Sequence, residues 1–260
     1  MFDMNYTEET NSLTFLGTGG ARFMISRQIL ASGGIWLNLD GKRFLIDPGP
    51  GSIVQVCRLG LNPENLSAIL LSHRHLDHSG DVNVMIEAMT QGGFNKNGHF
   101  LAPEDALDNE PVIYSYLRPF LNDLTVLEEE HEYNLDGIKV FTTRRHQHPV
   151  ETYGFIFESS NHRIGFVSDT RYFEEIPQIY AGCDVLIINV VLRESIERIY
   201  HLSIADAARL ITGAKPKTAI LTHFGLQLFR ADPAKMAAKV EAETGIPVIA
   251  AVDDLLFKLE

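Results

Sequence analysis

At 260 residues and 29.1 kDa, with 45% apolar and 22% charged residues, the chain has the composition of a soluble protein with a full core. No apolar run approaches the roughly 20 residues needed to span a bilayer, which excludes an embedded membrane protein, and a net charge of -12 argues against a nucleic-acid partner, whose phosphates demand a basic patch. Met1 to Asn11 has neither a basic start nor an apolar stretch, so it reads as no signal or transit peptide; Cys57 and Cys183, outside any C-x-x-C motif, read as buried free thiols of a cytoplasmic protein.

Leu13 to Leu16 is a short apolar run that ends in Gly17-Thr18-Gly19-Gly20. Ile35 to Leu39 and Arg43 to Ile46 flank Asp40-Gly41, a two-residue hairpin signal because both residues tolerate positive φ. Ser67 to Ser72 reads as a buried strand and Val82 to Thr90 as a helix. The stretch from Val82 to Leu121 reads as helix-rich, either a lid or a dimer surface. Phe155 to Glu158 and Arg163 to Val167 form a second expected hairpin, turned at Ser159 to His162, and Asp184 to Val191 is a continuous apolar strand. Ser203 with Asp206 predicts a capping box that opens a helix to about Thr212. Asp232-Pro233 supplies an N-cap and a first-turn proline for another, with short strands at Thr218 to Leu221 and Val248 to Ala251 around it. With no repeat and no long linker, residues 1–260 read as one α/β domain of packed sheets covered by helices.

The sharpest motif is His73-Arg74-His75-Leu76-Asp77-His78, directly after the strand that ends at Leu71-Ser72. A strand end delivers side chains into a turn, where His73 and His75 can face one ion. The turn then redirects Asp77 and His78 toward a second. Imidazole and carboxylate donors suit zinc, and also manganese or iron, in a site that keeps an open position. Further on, Arg144-Arg145-His146-Gln147-His148 offers two more histidines that an extended chain puts on one face. His99, His131 and His162 lie in polar stretches and read as surface residues.

On the His73–His78 motif the chain resembles the metallo-β-lactamase-fold hydrolases, and the resemblance implies an αββα four-layer sandwich. It implies that Asp47, in Leu45-Ile46-Asp47-Pro48-Gly49, orients the histidine loop. Asp169, in Val167-Ser168-Asp169-Thr170, matches the bridging carboxylate, and His223, in Leu221-Thr222-His223-Phe224-Gly225, matches the last ligand. The family's third histidine stands shortly before a Tyr-Gly pair, as His148 stands before Tyr153-Gly154. His146 is then a supporting donor or a surface residue. The implied site is dinuclear: His73, His75 and His148 on one divalent ion, Asp77, His78 and His223 on the other, and Asp169 between them. A hydroxide shared by two such ions is a nucleophile near neutral pH, and Asp77 would orient it.

Within the family, Phe15-Leu16-Gly17-Thr18-Gly19-Gly20-Ala21 is similar to the opening of ribonuclease Z and its cyclic-phosphodiesterase relatives. His201-Leu202-Ser203 resembles the element those enzymes place beside the metals, which implies that His201 protonates the leaving oxygen or hydrogen-bonds a non-bridging one. Arg74, Arg144 and Arg145 are candidate phosphate contacts. The chain departs from ribonuclease Z in three ways: Leu76 replaces a glycine of its motif, Asp47-Pro48-Gly49-Pro50 replaces Asp-Cys-Gly-Glu, and its Gly/Pro-rich arm is not recognisable. Residues 99–136 instead hold ten Asp or Glu against Arg118 alone, an acidic segment that would repel a polyanion. The expectation is a phosphodiesterase for a small or cyclic phosphodiester. A thioester or lactone hydrolase is the alternative, with a tRNA 3′-processing endonuclease and a non-catalytic metal-stabilised module as weaker ones. A homodimer is expected only from relatives.

Overall fold

The computed structural model describes residues 11–260, so the reading of Met1 to Asn11 as no signal falls, save for Asn11, outside the described residues. Two seven-stranded sheets form the centre of the structure. The first contains β1 (Ser12–Phe15), β2 (Ile35–Leu39), β3 (Lys42–Ile46), β4 (Ala68–Leu70), β5 (His99–Ala102), β6 (Asp123–Val126) and the last strand, β14 (Leu256–Lys258), in the order β14-β1-β2-β3-β4-β5-β6. The second contains β7 (Glu132–Leu135), β8 (Ile138–Thr142), β9 (Phe155–Glu158), β10 (Arg163–Val167), β11 (Val185–Asn189), β12 (Thr218–Thr222) and β13 (Val248–Ala250), in the order β13-β12-β11-β10-β9-β8-β7. Each sheet is antiparallel on one side and parallel on the other: β3 to β6 run parallel, as do β10 to β13.

The helices are α1 (Ala21–Arg27), α2 (Ser52–Arg58), α3 (Leu76–Ser79), α4 (Val82–Met89), α5 (Ile176–Ile179), α6 (Ile204–Ala214), α7 (Leu226–Arg230) and α8 (Pro233–Thr244). Alternation along the strands explains why both faces of each sheet are covered. In β3 and β4, Phe44, Ile46, Ala68 and Leu70 point into the core shared by the two sheets. Leu45 and Ile69, with Leu71 just after β4, point the other way, onto Val56 of α2 and Met85, Ile86 and Met89 of α4. In β11, Val185 and Ile187 join the shared core, while Leu186 and Ile188 pack with Leu210 and Ile211 of α6 and Val240 of α8. The three apolar layers make the αββα sandwich. A continuous apolar run, such as Val185 to Ile188 of β11, is the sequence signature of burial on both faces.

The hairpin at Asp40-Gly41 forms with φ of 47° and 77°, and Ser159 donates to the His162 carbonyl at 2.9 Å in the turn of the second. Several expectations are corrected. The stretch from Val82 to Leu121 is not helix-rich: after α4 it contains β5 and only short 3-10 turns at Glu104–Ala106 and Arg118–Phe120. The acidic segment 99–136 is built into both sheets through β5, β6 and β7. Cys57 is exposed on α2, and only Cys183 is buried, where burial raises its thiol pKa to about 11. His131 is exposed, but His99 and His162 are half-buried, His99 because it lies within β5.

The capping box is present. Ser203 Oγ accepts from the Asp206 backbone N–H at 3.3 Å, and the Asp206 carboxylate accepts from the Ser203 N–H at 3.0 Å. Ser203→Ala is expected to destabilise the chain by about 1 kcal/mol, measured by urea denaturation. An unchanged midpoint would mean that α6 is held by packing alone.

Candidate metal centre

The candidate site lies at the carboxyl ends of the strands, where loops leave both sheets toward the same edge of the sandwich. β1 leads into Gly17–Gly20, β3 into Asp47, β4 into His73 and His75, and β8 into His146 and His148. β10 leads into Asp169, β11 into the segment that ends at His201, and β12 into His223. The loops are stitched below the site. Tyr153 donates to the Ser72 carbonyl at 3.1 Å, and Ser168 Oγ lies 2.7 Å from Ser72 Oγ, joining one sheet to the other.

Proton bookkeeping at Ser72 fixes the histidine orientations. Asp47 Oδ1 accepts from the Ser72 N–H, and Oδ2 accepts from Ser72 Oγ, both at 2.6 Å. Because that hydroxyl donates to Asp47, its contact with His73 Nδ1 at 3.0 Å requires the ring to be the donor. Asp47 Oδ2 also accepts from His78 Nδ1 at 2.9 Å. The Nε2 atoms of His73 and His78 are thereby turned inward, and both are buried with no partner, as are His223 Nε2 and His201 Nδ1. Three of them, the Nε2 atoms of His73, His78 and His223, are aimed at one space and fit metal ions; hydrogen bonding within the protein does not account for them.

Ligand atoms of His73, His75 and His148 form one compact set, with His148 Nε2 3.1 Å from His75 Nδ1. Asp77, His78 and His223 form another, with Asp77 Oδ2 3.8 Å from His78 Nε2 and 3.5 Å from His223 Nε2. Asp169 stands between them: Oδ2 is 3.8 Å from His73 Nε2 and 3.4 Å from His78 Nε2, and Oδ1 is 3.6 Å from His223 Nε2. The two sets and the shared carboxylate fit a dinuclear metal site. His201 joins the edge of the site, its Nδ1 3.4 Å from Asp169 Oδ2, in a third set with His148 and Asp169.

The electrostatics follow from packing carboxylates and imidazoles together out of water. Burial alone would raise the Asp169 pKa, but His223, His201 and His78 hold it well below the usual carboxylate range. Asp77 is lowered likewise, burial being outweighed by His78 and His223. His78 is raised well above the ordinary value, because Asp169, Asp77 and Asp47 together overcome its burial. His73, His75, His148 and His201 are all lowered, with burial the largest cause.

Backbone strain also marks the site. Asp47 and His223 have φ of 51° and 61°, left-handed values that are costly for side-chain-bearing residues. Ala21 has φ 65° and donates its N–H to Asp77 Oδ2 at 3.0 Å. Gly20 lies so close to His223 that a Cβ there would overlap the imidazole ring, which gives the glycine-rich opening loop a steric purpose.

Of the predicted residues, the structure brings together His73, His75, Asp77, His78, His148, Asp169, His201 and His223, with Asp47 behind them. His146 is not in the cluster, and its reading as a surface residue is corrected. It is buried, and its Nε2 donates at 3.0 Å to the Tyr180 hydroxyl, which itself donates to the Phe166 carbonyl. Arg74 is committed elsewhere, donating to the Asp105 carbonyl at 3.1 Å and to Glu110 Oε2 at 3.0 Å, and Arg144 and Arg145 are exposed. Sequence reasoning missed Ser72 and Ser168, each immediately before a site residue, and Asn189, whose Nδ2 donates to Asp169 Oδ1 at 3.1 Å. Asn189 did carry a signal: it is the one polar residue of β11.

Residues 42–224 match the family described as "Beta-lactamase superfamily domain". The chain is 32% identical over 247 residues to Uncharacterized protein MJ1374 of Methanocaldococcus jannaschii, covering 92% of this chain and 91% of that one. It is 25% identical over 241 residues to Ribonuclease Z of Mycobacterium bovis, covering 82% and 85% of the two chains. Its fold is similar to the metallo-beta-lactamase fold protein YhfI from Bacillus subtilis, with a TM-score of 0.81, 17% identity, and 96% and 100% of the two chains covered.

Burial lowers the His146 pKa to about 4. Between about pH 6.5 and 4 the unfolded chain therefore binds a proton here that the folded chain does not. The stability this residue contributes is full above pH 6.5 and falls as pH drops, by about 3 kcal/mol across the window. His146→Gln, which keeps a donor for Tyr180, is expected to flatten that part of the stability–pH curve measured by urea denaturation. An identical curve for both proteins would contradict the assignment.

Proposed function

The chain belongs to the metallo-β-lactamase-fold hydrolases of the beta-lactamase superfamily, and on that premise we propose that it is a dinuclear metal-dependent phosphodiesterase acting on a small or cyclic phosphodiester. The observation that carries the reading is the placement of the Asp169 carboxylate between the set His73, His75, His148 and the set Asp77, His78, His223, with the inward nitrogens of His73, His78 and His223 unpartnered. These seven residues would hold two divalent ions, zinc or the manganese and iron that the same donors suit. When bound, such ions polarise a phosphoryl oxygen and make water nucleophilic near neutral pH.

The chain's own residues supply the rest. Asp77 Oδ2 is held by the Ala21 N–H, which leaves Oδ1 to accept a hydrogen bond from the attacking water and set its direction. His201 faces Asp169 through Nδ1, so Nε2 on the far edge of the ring is the nitrogen that gives a proton to the leaving oxygen. Burial lowers its pKa, which makes the imidazolium a readier acid. Asp169 stabilises the protonated ring through their 3.4 Å contact.

The relationship to Ribonuclease Z supports phosphodiester chemistry. The acidic segment 99–136, folded back into both sheets, supports a small substrate over tRNA. Commitment of Arg74 to Glu110, with Leu76 75% exposed between His75 and Asp77, favours the second reading, an apolar thioester or lactone.

The test is hydrolysis of bis(p-nitrophenyl) phosphate by zinc- and manganese-loaded protein. Metal-dependent turnover is expected, reduced at least about 100-fold in Asp77→Ala and in His201→Ala. The His201 variant should keep its metal content. A protein that holds two ions, leaves the phosphodiester intact and opens a thioester or lactone would overturn the phosphodiesterase reading.

A further inference from the structure

Residues 193–200 form an exposed loop between β11 and α6. Its base is closed by paired backbone bonds: Leu192 donates to the Leu202 carbonyl and Ile204 to the Leu192 carbonyl, both at 3.1 Å. The loop ends at Tyr200, beside His201, and the Tyr200 carbonyl lies 3.0 Å from His148 Nδ1. A carbonyl only accepts, so this contact requires His148 to carry a proton on Nδ1. Its lone pair is then on Nε2, the atom that meets His75. A backbone carbonyl on an exposed loop therefore decides which nitrogen of His148 is available to a metal.

The Arg171 side chain braces the segment that carries this carbonyl. The Arg171 guanidinium lies over the Tyr200 ring, 4.0 Å from its centroid, and donates to the Glu197 carbonyl at 3.1 Å. Its backbone N–H donates to the Gln147 carbonyl at 3.0 Å, and Gln147 donates to Thr170 Oγ1 at 3.1 Å. Arg171 thus stands where the loops of His148, Asp169 and His201 meet, and only its side chain reaches the third. A planar guanidinium can stack on a ring and donate in its own plane together, which a lysine ammonium cannot.

We infer that Arg171 is a positioning residue: by clamping residues 197–200 it sets the His148 tautomer and with it the affinity of the first ion, that of His73, His75 and His148. The inference rests on the proposed role of His148 as a ligand. It makes the two ions inequivalent, since in the other set Asp77 is held by the Ala21 N–H and His78 by Asp47, and no hydrogen bond among the described residues joins Asp77, His78 or His223 to the 193–200 loop. Tyr200 contributes through its ring and its carbonyl, and its hydroxyl is dispensable.

Two readouts on the full chain test it. Nitrogen-15 NMR of histidine side chains in metal-free protein reports the His148 tautomer, and zinc titration reports the two stepwise affinities. The wild type is expected to show His148 protonated on Nδ1. Arg171→Ala and Tyr200→Ala are expected to mix the tautomers and to weaken one ion about tenfold, the ion lost in His148→Ala, leaving the other within about twofold. Tyr200→Phe should behave as the wild type. An unchanged tautomer and unchanged affinities in Arg171→Ala would overturn the inference, as would equal weakening of both ions, which marks a merely structural role. If the wild type binds fewer than two zinc ions, the dinuclear reading fails, and the tautomer comparison alone still decides the role of Arg171.

Discussion

The carboxylate of Asp169 is the constraint on which the rest of the structure depends. It is buried and, among the described residues, pairs with no lysine or arginine; its partners are imidazoles: His73, His78 and His223 at 3.4 to 3.8 Å, and His201 at 3.4 Å. An isolated buried charge is too costly to keep, so it must be paired or neutralised. Asn189 supplies one hydrogen bond, and the remaining compensation comes from positive charge among the histidines or from metal ions in their place. The loops that carry Asp169 and these histidines leave β4, β10, β11 and β12, strands of two different sheets. The sandwich is therefore a device for bringing separate strand ends to one point.

Orientation is handled by a second layer, centred on Asp47 and Ser72. One hydroxyl that donates to Asp47 leaves His73 no choice but to donate, and the same carboxylate fixes His78. Each ring then offers its Nε2 to the site. The strain of left-handed backbone at Asp47 and His223 is tolerated because the surrounding bonds over-determine both positions. The Tyr200 carbonyl does for His148 what Asp47 does for His73 and His78. It sits on an exposed loop, so the two halves of the centre differ in how firmly they are held.

Much of this was legible in the sequence, for identifiable reasons. The His73–His78 motif concentrates donors within one turn, and β11 is apolar from Val185 to Ile188 because both its faces are covered. The capping box at Ser203 and the Asp40-Gly41 hairpin depend on local chemistry alone, and both formed. Asp136-Gly137 carries the same hairpin signal between β7 and β8, with φ of 55° and 96°, but lies inside an acidic stretch whose charge masks the strand pattern on either side. What the sequence could not show depends on tertiary contact. An extended chain would put His146 and His148 on one face; the chain instead bends there, the His148 N–H meeting the His146 carbonyl at 3.1 Å, and sends the first toward Tyr180 and the second toward His75. The roles of Ser72, Ser168 and Arg171 exist only where loops of distant strands meet.

The central claim is that Asp169 stands between two metal ions. Crystals of the protein grown with zinc, with diffraction data collected on either side of the zinc absorption edge, test it most directly. Two anomalous peaks are expected on either side of the Asp169 carboxylate, one bounded by His73, His75 and His148 and the other by Asp77, His78 and His223. A single peak, or ions bound away from Asp169, would contradict it.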